Sequence, residues 1–311
     1  MHVLGIDAGG TKTVCLLADE SGIVLAEARG GGANLQAVGE LEVEKVLHHV
    51  MDTAIGDREI RPDAICLGIA GVDRPQDADA VRGIMKRIGF KVRTLVVNDA
   101  LVALTAGAGD APGVVVIAGT GSIAYGRNAN GRAARAGGWG HILGDEGSGF
   151  WIGRRALAAV MRQSDGRGPT TRLTELILKR MGLTQPAELI HEVYDRNVRQ
   201  QGIAALAPLV QQAHDAGDAV ASGILERGAR ELVAAAASVI ARLGMRGAAF
   251  PTVLAGGIFK AVPWLADEVS AGLSEVAPRA RPGVLTVEPA VGAVHLAIAE
   301  ARGGASLPEY I

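Results

Sequence analysis

Residues 3–17 read VLGIDAGGTKTVCLL: an apolar run, a turn of small residues carrying one carboxylate, and a second apolar run. Val3 to Ile6 has the residue types of a strand, Asp7-Ala8-Gly9-Gly10 interrupts it, and Thr13 to Leu17 resumes the strand pattern. The turn Glu20-Ser21-Gly22 leads to a third strand, Ile23 to Ala28, so the chain opens as a β-meander. That order excludes a P-loop and a Rossmann fingerprint, since both require a helix directly after the glycine-rich turn. A glycine-rich hairpin turn does present backbone N–H groups with no side chain in front of them, which suits a phosphate. Gly9, Gly10, Thr11, Lys12 and Thr13 are the candidate phosphate-binding residues, and Asp7 at the strand end is placed to hold Mg²⁺ through water.

The same pattern restarts further along. Residues 113–126 read GVVVIAGTGSIAYG, followed by the turn Asn128-Ala129-Asn130-Gly131. A shift of 109 residues places Gly10 on Gly119, Thr11 on Thr120, Thr13 on Ser122 and Gly22 on Gly131. Two units of strand, Gly-Thr turn, strand, Gly turn and strand therefore stand in tandem, and a duplication of this kind decides a fold. Two such turns facing each other across a cleft would clamp a polyphosphate from both sides, which adds Gly119, Thr120, Gly121 and Ser122 to the candidates.

Between and after the repeats, helical periodicity covers about residues 40–56 and 77–88, with strands at Ala64 to Ile69 and Arg93 to Val97. Asp99 follows at once and opens a helix that runs to Ala108. A carboxylate where a strand passes into a helix sits at the mouth of a sheet, where α/β folds place ligands. Asp is equally a helix N-cap residue, so both readings stand at this position. Beyond Gly147 the chain is mostly helical to about residue 243, with strands at Phe250 to Leu254 and Val284 to Val287 and a last helix over about 290–302. The segment 136–149, AGGWGHILGDEGSG, sets Trp139, His141, Asp145 and Glu146 among glycines, a rigid loop whose carboxylates can accept hydroxyl hydrogens. His141 reads as a structural hydrogen-bonding residue, because no Cys/His cluster accompanies it. In Leu254-Ala255-Gly256-Gly257-Ile258 a strand ends in two glycines, which lets backbone approach a flat ligand such as adenine.

Composition sets the frame for these motifs. The 311 residues are 49% apolar with a formal charge of −2, enough for one large core or two medium ones and without the basic stripe of a nucleic-acid binder. Cys15 and Cys66 lie in apolar runs and read as core residues of a reducing compartment, not as a disulfide or metal framework. No run is long enough to span a bilayer and Met1-His2 leads straight into a strand, so the expected compartment is the cytoplasm.

Taken in order, GIDAGGTKT (5–13), LGIAGVDRP (67–75), VVNDA (96–100), IAGTGSIAYG (117–126), GGWGHILGDEGSGFWIG (137–153) and LAGGI (254–258) resemble the N-acetylglucosamine kinases and the BadF/BadG/BcrA/BcrD ATPases of the actin/Hsp70/hexokinase superfamily. The resemblance implies an α/β, duplicated actin-like ATPase (ribonuclease H-like) fold, with two domains of mixed sheets flanked by helices around a central cleft. The expected division is 1–112, joined by the C-terminal helix of about 290–311, and 113–289, carrying a helical insertion. It implies transfer of the ATP γ-phosphoryl group, with Mg²⁺, to O6 of N-acetylglucosamine or glucosamine. Asp99 then matches the catalytic base, Gly256 and Gly257 the adenosine loop, and Asn34, Asp99, Gly138, Trp139 and Asp145 the sugar pocket. A homodimer is expected by the same likeness. The chain departs from ROK-family sugar kinases in lacking their zinc-binding cysteines and ExGH motif. The alternative readings are an ATPase that couples hydrolysis to a partner protein and a non-catalytic sensor.

Overall fold

A computed structural model of the chain describes residues 1–72, 74–195 and 198–311, so Asp73 of the LGIAGVDRP segment lies outside the described residues. The opening meander is β1 (His2–Ala8), β2 (Lys12–Asp19) and β3 (Val24–Gly31), antiparallel throughout. Helices α1 (Leu35–Val38) and α2 (Glu40–Ile55) lead to β4 (Ala64–Ile69), and α3 (Pro75–Arg87) leads to β5 (Arg93–Val97). The five strands form one mixed sheet in the order β3-β2-β1-β4-β5. β1 is central and covered on both faces, which is why Val3 to Ala8 shows no alternation of apolar and polar residues. α2 buries Val43, Leu47, Val50, Met51 and Ala54, a stripe at helical spacing that closes one face of the sheet.

The second half repeats the first. After α4 (Asp99–Ala108) come β6 (Gly113–Ala118), β7 (Ser122–Arg127) and β8 (Arg132–Gly137). A helical excursion follows: α5 (Gly149–Ser164), α6 (Leu173–Met181), α7 (Glu188–Ile190), a π-helical turn at His191–Asp195, α8 (Gln200–Ala204), α9 (Ala207–Asp215) and α10 (Ala219–Arg242). Then come β9 (Pro251–Ala255), α11 (Gly257–Ala261), α12 (Pro263–Val276), β10 (Arg281–Val284), α13 (Ala290–Ala301) and the short β11 (Glu309–Tyr310). The sheet order β10-β9-β6-β7-β8 mirrors the first sheet strand for strand, with β11 added beside β8. The duplication read from the 109-residue shift is thus present in topology as well as in turn chemistry.

One expectation shifts. The strand anticipated at Val284 to Val287 lies at Arg281–Val284, where it pairs in parallel with Pro251 to Leu254. The apolar residues Val284 and Val287 are substantially exposed, while Pro282 and Gly283, poor strand formers, hold ladder positions. An edge strand tolerates proline because one row of its backbone groups faces away from the sheet.

Two helices join the halves by exchange. α4 leaves the first sheet and packs on β6, β7 and β9 of the second, while α13 leaves the second sheet and packs on β1 and β4 of the first. The two also lie against each other, and their alanines, valines and leucines form a core shared by both sheets, from Val3 and Cys66 to Val115, Tyr125 and Val253. Cys15 and Cys66 are both buried with free thiols, and burial pushes the Cys15 thiol up to about 12, as for inert core residues. The last residues cross back, because β11 pairs with Arg132 and Ala133 of β8. Among the described residues no helix is long and apolar enough to cross a membrane.

The helix exchange depends on close approach. A Cβ on Gly292 of α13 would strike the Val102 carbonyl of α4, and one on Gly5 of β1 would strike the backbone of Val294. Gly292→Ala gains up to about 1 kcal/mol of helix propensity. It must also push two backbones apart, and overpacking of this kind costs about 1–3 kcal/mol. The clash is expected to win, and chemical denaturation should show a lower midpoint for Gly292→Ala than for the native chain.

Candidate functional site

The two Gly-Thr turns meet. Thr11 Oγ1 and Thr120 Oγ1 are 2.6 Å apart, so residues 109 positions apart in sequence face one another across the junction of the halves. Each turn is closed by a backbone hydrogen bond, Gly9 N donating to Lys12 O at 3.0 Å and Gly119 N donating to Gly121 O at 2.9 Å. Each is also tied to its own half. Ala33 N donates to Gly9 O at 3.0 Å, and Gly149 N at the start of α5 donates to Gly119 O at 2.8 Å. The remaining hydroxyls of the motifs turn inward. Thr13 is fully buried and donates to Gly31 O at 2.8 Å, and Ser122 donates to Glu146 O at 2.8 Å. Of the four hydroxyl residues singled out in the sequence, Thr11 and Thr120 stand at the junction of the turns, while Thr13 and Ser122 brace them. Gly256 also serves the second turn: it has φ 104°, and any side chain there would run into the Ala118 carbonyl. Gly257 faces open space.

Beside the first turn lies a cluster of carboxylates. Asp7 is buried at the end of β1, and burial together with the charge of Asp99 pushes its carboxyl up to about 8, opposed by Lys12. Asn98, not Asp99, caps α4, its side-chain oxygen accepting from Ala100 N at 2.8 Å, and Asp99 stands at the first helical position. The capping alternative for Asp99 is therefore met by its neighbour. Lys12 Nζ lies 2.7 Å from Glu288 Oε2, and Arg29 reaches Glu288 Oε1 at 3.1 Å. Burial would raise the Glu288 carboxyl, but these two cations hold it below the ordinary range. A buried carboxyl beside a second carboxylate, its repulsion only partly offset by Lys12, is a setting that a divalent cation with oxygen ligands fits.

The loop between β8 and α5 is held open by glycine. Gly137, Gly138, Gly140 and Gly147 all have positive φ, and so does Asp145 at 62°, the one such non-glycine among the described residues. Strain of this sort persists where surrounding contacts enforce it. Here Ser122 N donates to Asp145 Oδ1 at 3.3 Å, and the carboxylate packs on Gly121, where a Cβ would stand 2.8 Å from Oδ2. Burial pushes the Asp145 carboxyl up, against amide hydrogen bonds from Ser122 and Gly140 that hold it down. Trp139 is 60% exposed, with the Arg135 guanidinium 4.2 Å from its ring centre. His141 Nδ1 lies 2.9 Å from Gln200 Nε2 and its ring sits edge-on to Phe150, the structural role expected of it. Asn34 caps α1, its oxygen accepting from Gln36 N and Ala37 N. A cavity of about 290 Å³ opens beside the loop, lined by Ile123, Gly137, Trp139, Leu143, Glu146 and Leu232.

The profile of the BadF/BadG/BcrA/BcrD ATPase family matches residues 4–297. The chain belongs to that family. Among its relatives, the N-acetylmuramic acid/N-acetylglucosamine kinase of Clostridium acetobutylicum is 37% identical over 96% of this chain and 99% of its own. The N-acetyl-D-glucosamine kinase of Dictyostelium discoideum is 36% identical over 95% of this chain and 97% of its own. The crystal structure of a candidate N-acetylglucosamine kinase from Chromobacterium violaceum superposes with a TM-score of 0.78 at 28% identity, covering 94% of this chain and 97% of that one.

Three residues of this family member were not singled out in the sequence. Glu288 holds Lys12 and Arg29, Gln201 donates to Gly10 O at 2.9 Å, and Arg135 stacks on Trp139. A Glu before a helix, a Gln on a polar face and an Arg in a strand carry no local signal, so only the tertiary structure reveals them.

The Asp7 environment yields a pH dependence. Its folded value of about 8 lies above the ordinary 3.8, so the folded state binds more protons between these limits. Stability of cation-free protein from this group is therefore full below about pH 4 and is lost as pH rises toward 8. In EDTA, Asp7→Asn is expected to raise stability more at pH 8 than at pH 5, the difference over those three pH units being on the order of 4 kcal/mol and read as a larger rise in thermal midpoint at pH 8. Equal shifts at both pH values would show that Asp7 ionises as an exposed carboxylate does.

Proposed function

We propose that this protein is an ATP-dependent kinase of an amino sugar and transfers the γ-phosphoryl group to a sugar hydroxyl, O6, with Asp99 as general base. The observation that carries the reading is the meeting of Thr11 and Thr120 beside the Asp7–Asp99 pair, which puts two phosphate-type turns and two carboxylates at one junction. The kinase names of relatives at 36–37% identity over nearly the whole chain support it. In the proposed reaction the Asp99 carboxylate takes the proton of the sugar hydroxyl as its oxygen attacks the γ-phosphorus, and the bond to the bridging oxygen breaks to release ADP. The amides of the two turns, the hydroxyls of Thr11 and Thr120, and Lys12 orient the phosphates and offset their charge. Asp7 would hold Mg²⁺ through water, the ion supplying charge neutralisation on the phosphates. Trp139 offers an apolar face to the sugar ring, and Gly138 its backbone. Asp145 would accept sugar hydroxyls while remaining bound to the second turn, and the amide nitrogen of Asn34, its oxygen being occupied by the cap, would donate. Closure of the halves on the sugar, hinged near 112 and 289, would exclude water from the phosphates.

The test is ADP release with ATP and Mg²⁺ against N-acetylglucosamine, N-acetylmuramic acid, glucosamine, glucose and no sugar. Release that requires one amino sugar is the expected result. Equal release in every well would replace the kinase reading with an ATPase that drives a partner protein. Asp99→Asn should lower kcat by about 10²–10⁴-fold while calorimetric sugar affinity stays within a small factor. Near-native turnover in that variant would remove Asp99 from the role of base.

A further inference from the structure

The helical excursion between β8 and β9 does more than thicken the second half. Its α5 begins against the second phosphate turn, with Gly149 N and Phe150 N donating to the carbonyls of Gly119 and Thr120 at 2.8 and 3.4 Å. α8 packs tightly on α5: Phe150, Ile203 and Ala204 form a small core, and a side chain at Gly153 would collide with the Ile203 carbonyl. From α8, Gln201 Nε2 then reaches out of its own half and donates to the carbonyl of Gly10 in the first phosphate turn, at 2.9 Å. The adjacent Gln200 holds His141 of the loop that carries Trp139. A continuous path thus runs from the second turn through α5 and α8 to the first turn.

We propose that Gln201 is a positioning residue that fastens the first phosphate turn to the second half and keeps it in register with Thr120 while the cleft is closed. The Gly10 carbonyl belongs to the peptide whose N–H is on Thr11, so a donor on that oxygen fixes the orientation of the amide offered to phosphate. Gly32 lies against the same carbonyl, where any side chain would strike it. Gln201 is thus the side chain of the second half that bonds the backbone of the first turn at Gly10. The inference rests on the kinase reading for its catalytic consequence and on geometry alone for the fastening.

The experiment compares Gln201→Ala and Gln201→Glu with the native enzyme. Loss of one neutral hydrogen bond predicts a fall of about twofold to tenfold in kcat/KM for ATP in Gln201→Ala. The ratio of sugar-independent to sugar-dependent ADP release should rise by a similar factor, and that ratio does not depend on how much of the sample is folded. Gln201→Glu keeps the length but sets an acceptor against an acceptor, so its effect should exceed that of alanine, which a space-filling role would not produce. The deciding measurement is hydrogen–deuterium exchange of the peptide spanning 5–14 with AMPPNP present. Faster exchange in both variants supports the fastening, and exchange equal to the native enzyme overturns it, whatever turnover does. A native enzyme without sugar-dependent ADP release would refute the kinase reading separately.

Discussion

The reciprocal exchange of α4 and α13 is the constraint on which the site depends. Each helix follows the last strand of its own half and lies on the sheet of the other, and the two pack together through glycine, alanine and valine. Neither sheet can be covered without the other half, so the halves are held at a separation set by small side chains. That separation brings Thr11 to within 2.6 Å of Thr120. The same arrangement aims the start of α4, and with it Asp99, at Asp7, and sets Glu288, just before α13, against Lys12.

Charge around the first turn follows from this packing. Asp7 and Asp99 repel, Lys12 offsets them, and Glu288 divides Lys12 and Arg29 between its two oxygens. The loop from 137 to 149 adds a mechanical link: Asp145, held in a left-handed conformation, bonds the amide that follows Gly121 in the second turn. A residue expected to read the sugar is thus also bonded to the turn proposed to hold phosphate. A ligand that pulls on Asp145 would be felt at the turn without any long-range pathway.

Much of this was legible in the sequence because its signals are local or repetitive. The 109-residue shift needs only small residues recurring in the right order, and it anticipated both the matched sheets and the pairing of the turns. Asp99 was legible as a carboxylate at a strand-to-helix passage; that Asn98 does the capping follows from side-chain geometry, since either residue type can cap. Thr13 and Ser122 could not be sorted from Thr11 and Thr120 by type, because the inward or outward turn of a hydroxyl depends on where the pleat places it. The strand near 284 was displaced because apolar residues mark burial, and at an exposed sheet edge pairing is decided by backbone reach instead. Gln201 and Glu288 act on residues 191 and 276 positions away, a distance over which no sequence pattern is informative.

The contact of Thr11 with Thr120 has a further meaning. In a symmetric pair of identical subunits, only residues lying on the twofold axis meet their own copies. A residue of one half touching its repeat counterpart in the other therefore marks the axis that two separate, identical ancestors would have shared. On such an axis a floor built of two identical turns is symmetric and cannot tell one end of a ligand from the other. The symmetry is broken both within the repeat, where Asp7 and Lys12 fall on Val116 and Gly121 under the 109-residue shift, and off it, in the glycine-rich loop and the helical excursion of the second half, so handedness toward a ligand comes from both.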